Sequence, residues 1–126
     1  MKINGILCLV LIAGIIGVSG CKSEDKALKQ EAKTIADAMC KSIGVMNELK
    51  KTDPADSVTV NRLQQEYQIV QSELMGLYDE FRAKHEKTPP TEAFNNEFRK
   101  YLNESMLDCK NLSKEERETF EKGMKQ

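Results

Sequence analysis

The sequence predicts an all-α protein, a small antiparallel helical bundle of three main helices plus a short C-terminal helix. Three observations carry that expectation. Apolar residues recur at steps of three and four through three long segments, the spacing that keeps one side of a helix turned inward. No segment holds the alternation of apolar and polar residues, with β-branched side chains, that a strand requires. The three prolines, Pro54, Pro89 and Pro90, all fall between the periodic segments, where they end helices instead of interrupting them. A chain of 126 residues holds one such domain. Its 19 basic and 20 acidic residues leave a formal charge of −1, which argues against a nucleic-acid partner and against a solvating tail.

The first element is a leader. Lys2 supplies a positive start, and Ile6 to Val18 is an apolar run broken only by Gly14 and Gly17. No further charge appears until Lys22. A short apolar core behind a positive residue and ending in small residues is the pattern of a secretory signal. An uncleaved membrane anchor is the competing reading, but the uncharged stretch is at the short edge for a span and contains Asn4 and four glycines. Cleavage by an ordinary signal peptidase after Val18-Ser19-Gly20 is a second alternative.

The run closes on Val18-Ser19-Gly20-Cys21. This resembles the lipobox of bacterial lipoproteins, in which a branched aliphatic residue and two small ones precede a cysteine. The resemblance implies that the Gly20–Cys21 bond is cut, that the Cys21 thiol carries diacylglycerol, and that the new α-amine takes a fatty acyl group such as palmitate. Residues 1–20 are then a cleaved signal peptide, residues 21–23 a lipid-anchored tether, and residues 24–126 the helical bundle domain. Two or more acyl chains hold a domain to a bilayer stably, at about 0.8 kcal/mol per buried methylene. Lys22 after Cys21, in place of an aspartate, resembles outer-membrane sorting in lipoproteins of enterobacterial type. The expected location is the cell envelope, with the outer membrane as the expected bilayer and its periplasmic and surface faces both open.

The first helix of the domain is expected from about Glu24 to Lys51, with the stripe Leu28, Ala32, Ile35, Met39, Ile43, Met46 and Leu49. Glu24 and Asp25 at its start and Lys50 and Lys51 at its end complement the helix dipole, and Asp53-Pro54 stops it. The second is expected from Ser57 to about Lys87. Its seam of Val60, Leu63, Tyr67, Val70, Leu74, Leu77 and Phe81 is nearly heptad, and serves a homodimer as readily as an intramolecular bundle. Thr88-Pro89-Pro90 breaks the chain and Thr91 is the expected N-cap of the third helix. That helix carries Phe94, Phe98, Tyr101, Leu102, Met106 and Cys109. Ser113-Lys114-Glu115-Glu116 is a capping box opening a short fourth helix to about Lys122, with Phe120 inward.

Of the four cysteines, Cys8 leaves with the signal and Cys21 is spent on lipid, so Cys40 and Cys109 can form one disulfide only. Export places them in an oxidising compartment. In an up-down-up bundle the first and third helices run parallel. Cys40 and Cys109 then stand ~24 Å and ~27 Å up their helices, nearly level. The bridge is therefore expected; two buried free thiols are the alternative.

The chemistry-bearing residues are few. His85, the only histidine, sits in the charged stretch Arg82-Ala83-Lys84-His85-Glu86-Lys87 and reads as a solvated helix-end residue without the partner and pocket a general base needs. One histidine without clustered acids offers no zinc site, and Met39, Met46 and Met106 read as core filling and not as ligands for copper or haem. Tyr78, one residue past the seam, reads as a half-buried tyrosine with a wet hydroxyl, or as a contact surface. Asn103-Glu104-Ser105 and Asn111-Leu112-Ser113 match a glycosylation pattern that has no use in a bacterial envelope. The expectation is no enzyme, no cofactor and no metal. The membrane is the partner through Cys21, together with an unidentified protein partner. Two roles follow: a surface-exposed interaction lipoprotein that binds a host or environmental ligand, or a periplasm-facing accessory lipoprotein supporting an envelope complex.

Overall fold

The structure is a computed structural model. It describes residues 2–86 and 91–124, with side chains from residue 25 onward. Four helices account for the described chain: α1 (Lys2–Lys51), α2 (Ser57–His85), α3 (Glu92–Leu107) and α4 (Lys114–Gly123). No strand is present among the described residues. The all-α bundle expected from the periodicity is the fold.

Two boundaries differ from expectation. α1 does not start near Glu24 but is continuous from Lys2, so the stretch 21–23, expected as a tether, is helical in backbone. The physical reason is that no proline precedes Pro54 and the leader is rich in isoleucine and leucine. Glu24 and Asp25 consequently lie inside the helix and not in its first turn. The second difference is at α3, which ends at Leu107 with Asp108 as its C-cap, leaving Cys109 in the turn beyond. The expected break at residues 87–90 and the acylated thiol expected at Cys21 lie outside what the structure describes in side chains.

Thr91 and Ser113 cap the helices they were expected to open, and Asp56 caps α2. Asp56 accepts from the Thr59 amide at 3.1 Å, Thr91 Oγ1 from the Phe94 amide at 3.2 Å, and Ser113 and Glu116 satisfy each other's amides at 3.2 and 2.8 Å. Each cap gives a partner to an amide that the helix itself leaves without one.

α1 is the axis of the bundle. It packs against α2 on one side and α3 on the other, and α4 packs on α3. α2 runs antiparallel to α1: Gln71 donates to Ser42 at 2.7 Å, and Tyr78 donates to the Met39 sulfur at 3.8 Å. Nearer the far end of α2, Lys84 reaches Glu31. α3 runs parallel to α1, with Tyr101 beside Asp25 at one end and Cys109 beside Cys40 at the other.

Serving two neighbours, α1 needs two apolar faces. Leu28, Ala32 and Ile35 from the expected stripe are buried, and so are Ala36 and Val45, which a single stripe did not include. Ala36 joins Met106, Cys109 and Leu112 in a core under α3, with Met39, Cys40, Ile43, Leu102 and Phe120 packed around it. α2 touches only one helix along most of its length. Only Leu63 and Val70 of its seam are buried, and the rest of the seam is half-covered.

The α3–α4 turn is fixed to α1 by several independent contacts. Cys40 and Cys109 are bridged, their Cα atoms 5.6 Å apart. Asn111 donates to the Cys40 carbonyl at 2.9 Å and accepts from Asn47 at 2.8 Å through its own carbonyl. Arg117 donates to the carbonyls of Leu107 and Cys109. Gly44 makes the close approach of Asn111 to α1 feasible, since a Cβ there would stand 2.6 Å from the Asn111 amide nitrogen.

The intact mass of the non-reduced protein should be two hydrogens below the dithiol form, and replacing both Cys40 and Cys109 by serine should cost up to about 4 kcal/mol, the chain-entropy value for a loop of this size. Gly76→Ala, in a helix with open space around it, should stabilise by about 0.5–1 kcal/mol in urea denaturation. Gly44→Ala should instead destabilise by about 1 kcal/mol or more, because overpacking against Asn111 outweighs the same backbone gain.

Candidate functional site

Along most of their length α2 and α3 are held apart by α1, and they meet where α2 ends and α3 begins. There Phe81 of α2 packs on Phe98 and Phe94 of α3, with ring centroids 4.3 and 6.1 Å apart. His85, the last residue of α2, inserts its ring beside both Phe81 (4.6 Å) and Phe94 (4.9 Å). Phe81, Phe94 and Phe98 lie on the apolar stripes of their helices, and the stripes converge only at this end.

His85 is not the solvated residue its charged neighbours suggested. Its side chain is 27% exposed, and Nε2 lies 2.9 Å from Glu31 on α1. The correction has a simple cause. The α2 stripe passes through Phe81, and His85, one turn later, falls on the same inward face. Lys84 binds the other oxygen of Glu31, so one carboxylate of α1 receives two consecutive side chains of α2. Burial alone would push the Glu31 carboxyl up, but the hydrogen bonds and charges of Lys84 and His85 outweigh it and hold the group below the usual glutamate range.

A second polar group stands beside this one. The Tyr101 hydroxyl of α3 donates to Asp25 of α1 and lies 3.3 Å from Glu97. The bond to Asp25, with the negative charges of Asp25 and Glu97, raises the phenol well above its usual range and keeps it protonated. Lys29 lies over the Tyr101 ring, 5.8 Å from its centroid.

Between the two groups opens a cleft of about 600 Å³, lined by Asp25, Ala27, Leu28, Glu31, Lys84, His85, Phe94 and Glu97. Its wall is part apolar and part charged, with both signs present. A smaller cavity of about 340 Å³ lies on the other side of His85 and Phe94, bounded by Tyr78, Phe81, Arg82, Glu86 and Asn95. Chemically, the arrangement is suited to holding a ligand with charged and apolar parts. Glu31 is kept ionised by its two partners and is a poor proton donor at neutral pH.

The remaining sequence candidates fall elsewhere. Cys40 and Cys109 are together, ~14 Å further along α1 than Glu31. Met106 is fully buried and Met39 and Met46 are half-buried, whereas Met75 and Met124 are exposed. Tyr78 is half-buried as expected, but its hydroxyl is turned to the Met39 sulfur and not simply to water. Asn103, in the first glycosylation-like triplet, is buried. Asn111, in the second, is engaged with α1. Sequence reading missed Glu31, Asp25 and Glu97 as a group, because nothing along the chain marks which exposed-looking acids the fold will bring to one end. No protein-family model matches this chain, and neither a curated protein nor a solved structure is significantly similar to it.

Glu31→Gln should destabilise at neutral pH by about 1–2 kcal/mol, the scale of hydrogen bonds to a charged group that is partly open to water. The folded-state Glu31 pKa is depressed, so its contribution is complete above the ordinary glutamate value and disappears as the pH falls through the folded value. Denaturation midpoints measured from pH 7 downward should therefore converge for wild type and Glu31→Gln at acid pH. A constant gap across that range would remove the ionic role of Glu31.

Proposed function

We propose that this chain is a membrane-anchored bacterial lipoprotein whose helical domain is a non-catalytic interaction module, exposed at the cell surface and directed to an environmental or host ligand. The observation that carries the reading is Val18-Ser19-Gly20-Cys21 at the end of an apolar run that starts behind Lys2. Among the residues whose side chains are described, 25 onward, no helix is long and apolar enough to cross a membrane. The reading attaches the domain to a bilayer through the segment ending at Cys21 and its acyl chains.

One feature of the fold supports a binding role and another supports export. The cleft between the ends of α1, α2 and α3 is of the size small ligands occupy. The bridge between Cys40 and Cys109 suits an exported domain, since such bonds persist in oxidising compartments. The Cys21 acyl chains would hold the domain to the bilayer at the Cys21 position of α1, with the disulfide ~28 Å further along that helix and the α1–α2 turn outermost.

Cells grown with labelled palmitate should incorporate label into the wild-type protein and not into a Cys21→Ala variant; label in both would sink the acylation claim. Protease treatment of intact cells should remove the domain while a periplasmic control survives. If the domain is protected until the outer membrane is permeabilised, the surface assignment fails and the periplasm-facing accessory role takes its place.

A further inference from the structure

We propose that the cleft between the ends of α1, α2 and α3 is a headgroup site for a zwitterionic phospholipid bearing a primary ammonium, of the phosphatidylethanolamine class. The proposal rests on Cys21 being the acylated anchor, because the anchor decides what the cleft faces. α1 is helical through that position, which puts Asp25 ~6 Å and Glu31 ~15 Å along the helix from Cys21. The headgroup layer on one side of a bilayer is itself roughly 5–7 Å deep. The Asp25 side of the cleft thus opens at headgroup level, where lipid headgroups are the most concentrated solute.

The lining fits that chemistry in three parts. Asp25 and Glu97 converge on the Tyr101 hydroxyl, which has a single proton to give. Two carboxylates sharing one donor retain acceptor capacity for an N–H cation. Lys84 spends one of its three donors on Glu31, so it keeps two for a phosphate. Ala27, Leu28 and Phe94 supply an apolar wall for the glycerol and first methylenes. Carboxylates alone would accept any cation, and basic groups alone any phosphate. Both signs beside an apolar wall, in about 600 Å³, select an amphiphile carrying both charges. A quaternary ammonium has no N–H to offer Asp25 and Glu97, which separates the ethanolamine headgroup from choline.

The test uses the full acylated chain, extracted in detergent and examined by native mass spectrometry with phosphatidylethanolamine, phosphatidylcholine or phosphatidylglycerol at equal mole fraction. One phosphatidylethanolamine should be retained per chain in preference to the other two. Glu97→Lys, at an exposed position, should lower that retention about tenfold, equivalent to ~1.4 kcal/mol. Asp25→Asn, which preserves size, gives a second measure if Glu97→Lys disturbs α3. Lys114→Glu, on α4, should leave retention unchanged. No retention, or equal retention of all three lipids, overturns the site. Equal competition by soluble glycerophosphoethanolamine overturns the lipid as the source of the headgroup. The same spectra report the acyl mass on the chain: an unacylated chain that keeps the lipid removes the anchor alone, and an acylated chain that does not keep it removes the site alone.

Discussion

The burial of α1 between two helices is the constraint on which the rest of the fold depends. α2 and α3 pack on α1 and not along each other, so the bundle has a shared axis in place of a closed three-way core. Such an axis must be apolar on two faces, and small where a neighbour comes close. Ala32 and Ala36, both essentially inaccessible to solvent, meet that requirement, and Gly44 meets it where Asn111 approaches. The arrangement also explains why most of the α2 seam is only half-covered: a helix with a single neighbour leaves one flank to water.

A bundle built on an axis must still fix its outer helices at both ends, and the two ends use different chemistry. At one, the bridge between Cys40 and Cys109 acts with Asn111 and Arg117, which tie the α3–α4 turn to α1 and to itself. That end is held by a covalent bond and by hydrogen bonds to backbone carbonyls, none of which depends on the protonation of a carboxylate or imidazole. At the other end, aromatic packing joins α2 to α3, while Glu31 joins α1 to α2 and Asp25 joins α1 to α3. Those contacts involve ionisable groups and surround open volume. The covalent end is built for persistence, whereas the aromatic and ionic end holds a cleft of about 600 Å³.

This division matters for the proposed role. A domain held by acyl chains at Cys21 would have its ionic, cleft-bearing end toward the bilayer and its bridged end toward the surroundings. The outer end would meet the oxidising environment that keeps such bonds intact. The inner end would lie among lipid headgroups. Any macromolecular partner would then meet the α1–α2 turn and the exposed flank of α2 first, where Val58, Ile69 and Met75 present apolar side chains to solvent.

The sequence by itself determined the helices, their caps and their order. Those features depend on interactions within a few residues: the step of three and four along each stripe, Thr91 and Ser113 as caps, and proline where the chain must turn. It also brought Cys40 and Cys109 together, because parallel helices of known rise fix relative height. In the uncleaved chain α1 runs on into the leader, since nothing in local propensity separates an apolar leader from the helix that follows it. What only the tertiary structure decided was the second buried face of α1 and the meeting of Glu31, Lys84 and His85 with Asp25, Glu97 and Tyr101. A local pattern shows that Phe81 faces inward but not which helix it meets, and an acid on a half-exposed position looks the same whether its neighbour is water or a lysine fifty residues away. Contacts between helices depend on which faces the packing turns toward each other, and that is set by the whole bundle at once.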